Sequence, residues 1–241
     1  MDQIRNIVIL TGAGISAESG LQTFRAADGL WEGHRVEDVA TPDAFVRGPA
    51  LVHDFYDARR ARLGEVEPNP AHVALARLDA EWPGELLIVT QNVDDLHERA
   101  GAKRLLHMHG ELLKGWCLRC NERFEWGGQM GEGAACASCK TVGMVRPDIV
   151  WFGEMPYEME RIESALMGCD LFVSIGTSGA VYPAAGFVQT AKYCGARTLE
   201  INLEPSQGSL YFDERRYGCA SAEVPRWVDD LLAPIQPDVL V

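Results

Sequence analysis

Short apolar runs recur along the chain, separated by longer stretches in which apolar and polar residues are mixed. The runs lie at residues 6–10, 85–90, 104–108, 170–176 and 197–203. Apolar runs of this length are typical of strands that are covered on both faces of a sheet. Each run therefore predicts a buried strand.

Stretches with helix-like spacing of apolar residues lie between these runs. They cover residues 49–63, 70–81, 158–168 and 184–194, and a further one, "VPRWVDDLLAPI", lies close to the end of the sequence. Strands that alternate with helices indicate a mostly parallel sheet with helices on both faces. The predicted fold class is therefore α/β.

Two stretches interrupt this alternation. Residues 114–146 are rich in Gly and Cys and poor in aliphatic runs, which indicates a small module inserted into the α/β domain. Residues 23–48 are irregular and contain "FRAADGLWEGH". Long irregular connections in compact domains tend to be functional, so we expect this stretch and the helix after it to form a mobile cover over a ligand.

Composition narrows the class of protein. The 241 residues are 47% apolar and 24% charged, as in ordinary soluble globular proteins. The net charge of −13 argues against a nucleic-acid-binding surface. The apolar run near the start, Ile7 to Leu10, is too short for a signal peptide or a membrane span. We therefore expect a cytoplasmic protein.

A glycine-rich turn follows the first predicted strand. Gly12, Gly14 and Ala17 form G-x-G-x-x-A, which after a strand and before a helix favours dinucleotide binding over a plain tight turn. A second strand that ends about 20 positions later in an acidic residue, to hold the ribose, is missing, because the region around Asp28 and Trp31 is irregular. An acidic strand end occurs much later, at "INLEP", so we expect the ribose contact to come from a rearranged strand.

Four of the seven cysteines have the spacing of a metal site. They are Cys117, Cys120, Cys136 and Cys139, and the two pairs are separated by 15 residues. This C-x₂-C-x₁₅-C-x₂-C pattern predicts a zinc ribbon in which four thiolates leave no position open, so the zinc is structural. A pair of disulfides does not suit a reducing compartment. The scattered Cys169, Cys194 and Cys219 are expected to be buried small hydrophobes.

The segment "HMHGE" precedes the cysteines. His109 and Glu111 form the H-x-E of zinc deaminases, but only five residues separate Glu111 from Cys117 and no proline precedes the cysteines. Four sulfur ligands also saturate the metal, so the deaminase interpretation is rejected. His107 and His109 lie two apart and are expected to face the same way.

The segment "HDFYDARRA" contains a Tyr and an Arg at helical spacing. Tyr56 and Arg59 lie three positions apart, so both tips lie on one face of a helix and could receive a carboxylate. Arg60 and Arg62 follow, which fits an ordinary solvated helix face. From this segment alone the solvated face is favoured.

Taken together, these segments resemble one family, the sirtuins, which are NAD-dependent protein-lysine deacylases. The resemblance is carried in order by "GAGISAESGLQTFR", "TQNVDDLHERAG", "HMHGEL", the paired cysteines, "RPDIVWFGEMP", "GTSGAVYPAAG" and "INLEP". It is greatest to the bacterial class III (CobB-type) members, which are related to mammalian sirtuin five. It implies a Rossmann-like domain (1–113 and 147–241), a zinc-ribbon module (114–146), and a cover of about residues 23–64 that contributes to the small domain.

The resemblance also implies the site residues. NAD would contact Gly12, Ala13, Gly14, Ile15, Ser16, Ala17, Glu18, Phe24, Arg25, Trp31, Gln91, Asn92, Asp94, Gly176, Thr177, Ser178, Asn202, Leu203, Glu204 and Ala220. The acyl-lysine peptide would contact Tyr56, Arg59, Ala27, Phe152, Gly153, Glu154, Gly179 and Val181, adding as a strand between the segments 152–154 and 179–182. His109 would be the general base, because the pKa of histidine lies near neutral pH.

The implied reaction consumes NAD and gives nicotinamide, O-acyl-ADP-ribose and free lysine. In class III sirtuins a Tyr-x-x-Arg pair lines the acyl pocket, so Tyr56 and Arg59 would bind the carboxylate of succinyl- or malonyl-lysine, with acetyl-lysine also accepted. Acyl-lysine proteins are the expected partners, and a monomer remains open. The alternatives are an NAD-dependent dehydrogenase with structural zinc, a non-catalytic NAD- or peptide-binding module, and weak ADP-ribosyl transfer.

Overall fold

A computed structural model of the chain describes residues 4–22, 30–31 and 33–233, except for the side chains of residues 30 and 31. Its strands are β1 (Ile7–Thr11), β2 (Leu30–Trp31), β3 (His34–Arg35), β4 (Leu86–Thr90), β5 (Leu105–His107), β6 (Gly110–Cys117), β7 (Arg123–Glu125), β8 (Val145–Ile149), β9 (Leu171–Ile175), β10 (Arg197–Asn202) and β11 (Glu214–Tyr217).

The main sheet is parallel throughout and has the order β11-β10-β9-β1-β4-β5. Strands β1, β4 and β9 lie at its centre, and every residue in them is buried. The predicted α/β class with a parallel sheet is confirmed, and the apolar runs predicted the ends of these strands to within one residue.

Helices cover both faces of the sheet. The described helices are α1 (Ala13–Ser16), α2 (Val36–Val39), α3 (Pro42–Arg47), α4 (Pro49–Leu63), α5 (Pro70–Glu81), α6 (Leu96–Ala100), α7 (Met159–Gly168), α8 (Phe187–Tyr193) and α9 (Ala220–Leu232). Ile7 and Ile9 of β1 pack with α5 and α9, whereas Val8 and Leu10 pack with α7 and α8. Alternate side chains of β1 therefore pack into two separate cores, one on each face of the sheet.

A second, antiparallel sheet with the order β7-β6-β8 carries the cysteine module. Its pairing begins at Gly110 with Ile149, outside the predicted module of 114–146, and a bulge interrupts β6 between Glu111 and Gly115. Leu112 and Ile149 of this sheet pack against buried side chains of α2, α3 and α4 in a third core. The proposed domain boundaries stay a prediction.

Several local expectations differ from the structure. The edge strand β11 was not predicted because its sequence, ERRY, is polar and its residues are largely exposed. Cys194 and Cys219 are exposed, so only Cys169 among the scattered cysteines is the expected buried hydrophobe. Among the described residues, no helix is both long and apolar enough to cross a membrane.

Candidate active site

A cleft of about 840 Å³ opens at the carboxyl ends of the parallel strands. Gly12 follows β1, Gln91 follows β4, Gly176 follows β9 and Asn202 ends β10, and all four line the cleft. Ligands of open α/β sheets bind at this edge. The parallel strands therefore form one side of the cleft, and α4 and the segment after β8 line the other.

The glycine-rich turn packs against the turn after β9. The Gly14 N–H donates to the Gly176 carbonyl at 2.8 Å, and a Cβ on Gly14 would lie 2.7 Å from the Gly176 Cα. Glycine is needed at this position for the two turns to meet, a reason that the dinucleotide pattern did not supply. The helix that follows, α1, has only four residues and continues into a 3₁₀ turn at Ala17–Ser19.

Three polar side chains hydrogen-bond with one another in the cleft. The Ser16 hydroxyl donates to Oδ2 of Asp94 at 3.0 Å and accepts from the Asn92 amide at 3.1 Å. The other carboxylate oxygen of Asp94 accepts the Leu96 N–H at 3.2 Å. Burial raises the pKa of the Asp94 carboxyl. The three residues therefore hold each other in fixed orientations where donors and acceptors can meet a ligand.

His109 lines the same cleft with one ring nitrogen already engaged. Its Nδ1 lies 3.2 Å from the Gln91 carbonyl, so Nδ1 carries the hydrogen and donates it. Burial lowers the pKa of His109. A neutral imidazole in this tautomer leaves Nε2 as a proton acceptor, as a general base requires.

His107 has a different environment from His109. Strand β5 ends at His107, so the alternation that predicted a common direction does not extend to His109. The ring of His107 contacts the Asn92 carbonyl at 3.0 Å and the Glu98 carboxylate at 2.6 Å. His109 lines the cleft and His107 does not, so the two rings do not share one environment.

Tyr56 and Arg59 lie on α4 and line the cleft together. The Tyr56 side chain is fully buried, and its hydroxyl accepts a hydrogen bond of 2.9 Å from the indole Nε1–H of Trp151. Burial raises the pKa of Tyr56, so the phenol stays protonated. A protonated phenol beside a guanidinium suits a carboxylate ligand. The helix face that carries this pair is not a solvated one, because Tyr56 is buried and Arg59 is half-buried, although Arg62 is exposed.

The segment after β8 contributes Phe152, Gly153 and Glu154 to the cleft, and Val181 lines the cleft as well. The two carboxylate oxygens of Glu154 bind Arg146 at 2.7 and 2.9 Å, and one also accepts the Trp151 N–H at 2.8 Å. The Glu154 side chain therefore supports the wall of the cleft. Gly179 lines a small cavity beside the cleft instead.

The adenosine end predicted for NAD lies where β10 and α9 meet. Asn202, Leu203, Glu204 and Ala220 line the cleft there, and the Asn202 amide donates to the Thr177 carbonyl at 2.8 Å. The Glu18 carboxylate accepts the Ser221 N–H at 2.9 Å and so caps the start of α9.

Most predicted NAD residues are brought together at the cleft. In addition to those named above, it is lined by Ala13, Ala17, Thr177 and Ser178. Ile15 is not among the lining residues, because its side chain is buried in the core beneath the sheet. Phe24, Arg25 and Ala27 lie outside the described residues, as does the side chain of Trp31.

The four predicted metal ligands lie together, away from the cleft. Their sulfur atoms are all within 4.8 Å of one another, with Cys117 to Cys139 at 3.7 Å and Cys120 to Cys136 at 3.6 Å. Tetrahedral coordination with Zn–S bonds of about 2.3 Å places sulfurs about 3.8 Å apart, whereas a disulfide requires about 2.05 Å. The residues therefore fit a four-thiolate zinc site and not a disulfide pair.

Sequence reasoning missed several residues that line the cleft. Trp151 and Arg62 were not predicted as site residues, and neither was Cys219. Arg62 lies three positions after Arg59, so the helical spacing used for Tyr56 and Arg59 could have identified it. No local pattern connects Trp151 with Tyr56, because 95 positions separate them.

A family model described as the Sir2 family matches residues 12–183. The chain is 60% identical over 237 residues to an NAD-dependent protein deacylase of Vibrio vulnificus, which covers 98% of this chain and 97% of the relative. A Sir2 homologue solved in complex with NAD superposes with a TM-score of 0.87 at 36% identity, covering 95% of this chain and 90% of that one. A Sir2 structure with a p53 peptide and NAD⁺ superposes with a TM-score of 0.79 at 27% identity, covering 95% of this chain and 94% of that one.

Proposed function

The chain belongs to the Sir2 family, and from this premise we propose that it is an NAD-dependent protein-lysine deacylase. The observation that carries the proposal is the state of His109 in the cleft. Its Nδ1 hydrogen is engaged by the Gln91 carbonyl, and burial lowers the pKa of the ring, so that Nε2 can accept a proton. A dehydrogenase could use such a base as well, because an alcohol loses a proton as it loses hydride, so the products of the reaction distinguish the two functions.

NAD, when bound, supplies ADP-ribose as the acceptor of the acyl group. In this proposal the residues of the cleft hold and orient it. Gly12, Gly14 and Gly176 give the close backbone approach at one end, and Asn202 and Glu204 lie at the adenosine end. Ser16, Asn92 and Asp94 form the polar wall near His109, so the base lies close to the reacting end.

The acyl group is proposed to enter between α4 and the segment after β8. Tyr56 and Arg59 would bind the carboxylate of succinyl- or malonyl-lysine, and acetyl-lysine would fit the same space without using them. The support is that the buried hydroxyl of Tyr56 and Arg59 line the cleft together with Phe152 and Val181. The peptide backbone would add as a strand beside 152–154 and 179–182.

Zinc would be held by Cys117, Cys120, Cys136 and Cys139 and would have a structural role. The support is that all four ligands are sulfur and none lines the cleft. The partners in this proposal are acyl-lysine proteins, as suggested by the relative that was solved with a p53 peptide. A cytoplasmic location stays a prediction.

A direct test uses purified, zinc-replete protein with a mixed set of acetyl-, succinyl- and malonyl-lysine peptides, with and without NAD. Mass spectrometry follows the loss of each acyl group, and a parallel assay follows nicotinamide and the absorbance of NADH. We expect NAD-dependent deacylation with release of nicotinamide and no NADH. Formation of NADH would favour the dehydrogenase, and the absence of nicotinamide release would rule out the deacylase.

A further inference from the structure

Helix α4 carries two residue pairs, offset by one position, that face different parts of the molecule. Tyr56 and Arg59 line the cleft, while Asp57 and Arg60 contact the cysteine module. We propose that Asp57 and Arg60 are positioning residues that set the selectivity for acyl groups ending in a carboxylate. This inference rests on the proposed deacylase function.

Asp57 binds the backbone of the cysteine module directly. Its two carboxylate oxygens each accept the Met130 N–H at 2.9 Å, and one of them also accepts the Gly131 N–H at 3.3 Å. The Asp57 side chain is only 10% exposed. Hydrogen bonds from backbone N–H groups to a buried carboxylate are charge-assisted and directional, so they fix the distance and the angle between the helix and the loop.

Arg60 completes the connection from the next turn of the helix. It forms an ion pair with Asp57, donates from Nε to the Leu112 carbonyl at 3.0 Å, and donates from Nη1 to the Gly128 carbonyl at 3.3 Å. Its side chain is 2% exposed. The two residues therefore join α4 both to strand β6 and to the loop at 128–131.

The loop is in turn fixed to the cysteine cluster. Met130 is buried in a small core that it shares with Cys117, Cys136 and Val145. Asp57 binds the backbone of Met130 itself. The contacts thus run without a gap from the metal ligands, through Met130, to α4.

Because both pairs lie on α4, a rotation of this helix at Asp57 and Arg60 also moves Tyr56 and Arg59. Successive residues are about 100° apart around a helix, so the two pairs occupy adjacent faces of the same turns. A rotation of about 10° around the axis moves a side-chain tip about 6 Å from that axis by about 1 Å. A displacement of about 1 Å at a binding group can cost about 100-fold in rate. Only substrates with a terminal carboxylate depend on Arg59, so the loss should be selective.

The test compares Asp57→Asn with Asp54→Asn, a matched change at an exposed position of the same helix. Asparagine keeps the shape of the side chain and one acceptor but loses the charge. At saturating NAD, we expect Asp57→Asn to raise KM for a succinyl-lysine peptide at least fivefold. The KM for the matching acetyl-lysine peptide and the KM for NAD should change less than twofold. Asp54→Asn should match the wild type throughout.

Arg60→Lys provides a second variant if Asp57→Asn does not fold, because lysine retains the charge but cannot make the same set of bonds to Leu112, Gly128 and Asp57. The same selective rise in KM is expected. Equal losses on both peptides would show a purely structural role and overturn the inference, as would no loss on either. Absence of desuccinylation by the wild-type protein, with deacetylation intact, would overturn the acyl assignment and this inference with it. Absence of nicotinamide release on every peptide would instead reject the deacylase itself.

Discussion

Removal of the Tyr56 hydroxyl tests the acyl pocket and the structure behind it in one variant. The hydroxyl accepts the indole N–H of Trp151 at 2.9 Å, and the two side chains are 0% and 2% exposed. Tyr56→Phe deletes one oxygen and preserves the ring. It therefore removes the proposed substrate contact and also leaves the Trp151 N–H without this acceptor.

The two consequences have different magnitudes and can be measured separately. A buried donor that loses its partner costs about 1–3 kcal/mol of folding free energy. For a chain of this length each kcal/mol lowers Tm by about 2–4 °C, so we expect a decrease of about 2–12 °C. A hydrogen bond to a charged carboxylate contributes about 1.5–3 kcal/mol, which corresponds to a loss of about 10- to 150-fold in kcat/KM for a succinyl-lysine peptide.

The assay pairs thermal unfolding with kcat/KM on matched succinyl- and acetyl-lysine peptides, below the Tm of the variant. Tyr193→Phe is the control, because Tyr193 is 93% exposed and should change neither quantity. Combining Tyr56→Phe with Trp151→Phe removes donor and acceptor together, so the double variant should lose less stability than the sum of the single ones. Strict additivity would show that the hydrogen bond contributes nothing. Equal losses on both peptides would refute the carboxylate contact.

The remaining predictions concern the other groups of the site. Arg59→Met should lose at least about tenfold in desuccinylation, or about 1.4 kcal/mol, with a much smaller effect on deacetylation; equal effects would argue against a carboxylate receptor. His109→Ala should lower deacylation by at least about 100-fold while NAD still binds in calorimetry, and normal turnover would rule out its role as base. Burial lowers the pKa of His109 below 6.5, and the neutral form is the base, so kcat/KM of the wild type should fall only as pH drops below that value; an acid limb above pH 6.5 would contradict this. Removal of zinc with a chelator should unfold the cysteine module, measured by circular dichroism and proteolysis, and a chelated protein that stays folded and fully active would contradict a structural metal.

The central strands were predictable because a strand that is buried on both faces appears in the sequence as a continuous apolar run. The strands β1, β4 and β9 consist of buried residues throughout, and their apolar runs predicted them closely. Strand β11 has no apolar run, because it lies at the edge of the sheet and its residues are polar and largely exposed. Strand β6 mixes buried and half-buried residues and contains a bulge, so its period is broken.

The topology of the sheet explains why no early strand of this chain ends in an acidic residue. After β1 and α1 the chain leaves the sheet, forms α2, α3 and α4, and returns only through α5 to β4. The strands on the other side of β1 are β9 and β10, which come late in the sequence. Glu204, just after the carboxyl end of β10, lines the cleft, although β9 lies between β10 and β1.

Contacts between distant segments were the part of the site that sequence could not supply. The pattern around Tyr56 and Arg59 suggested a receptor, but the partner of Tyr56 lies 95 positions away. The bonds of Asp57 go to backbone N–H groups of Met130 and Gly131, which any residue except proline could donate. Side-chain identity at the partner position carries no signal for such a bond.

The two sides of the cleft are supported by different hydrophobic cores. The turns that line the side proposed for NAD emerge from β1, β4, β9 and β10, whose residues belong to the two cores of the parallel sheet. The side proposed for the acyl group is built from α4 and the segment after β8, which pack in the third core with Tyr56 and Trp151. Because these cores are separate, a change in the third can reshape the acyl pocket while the strands beneath NAD keep their packing. Under the proposed function, this separation predicts that the determinants of acyl selectivity lie on α4 and its supports.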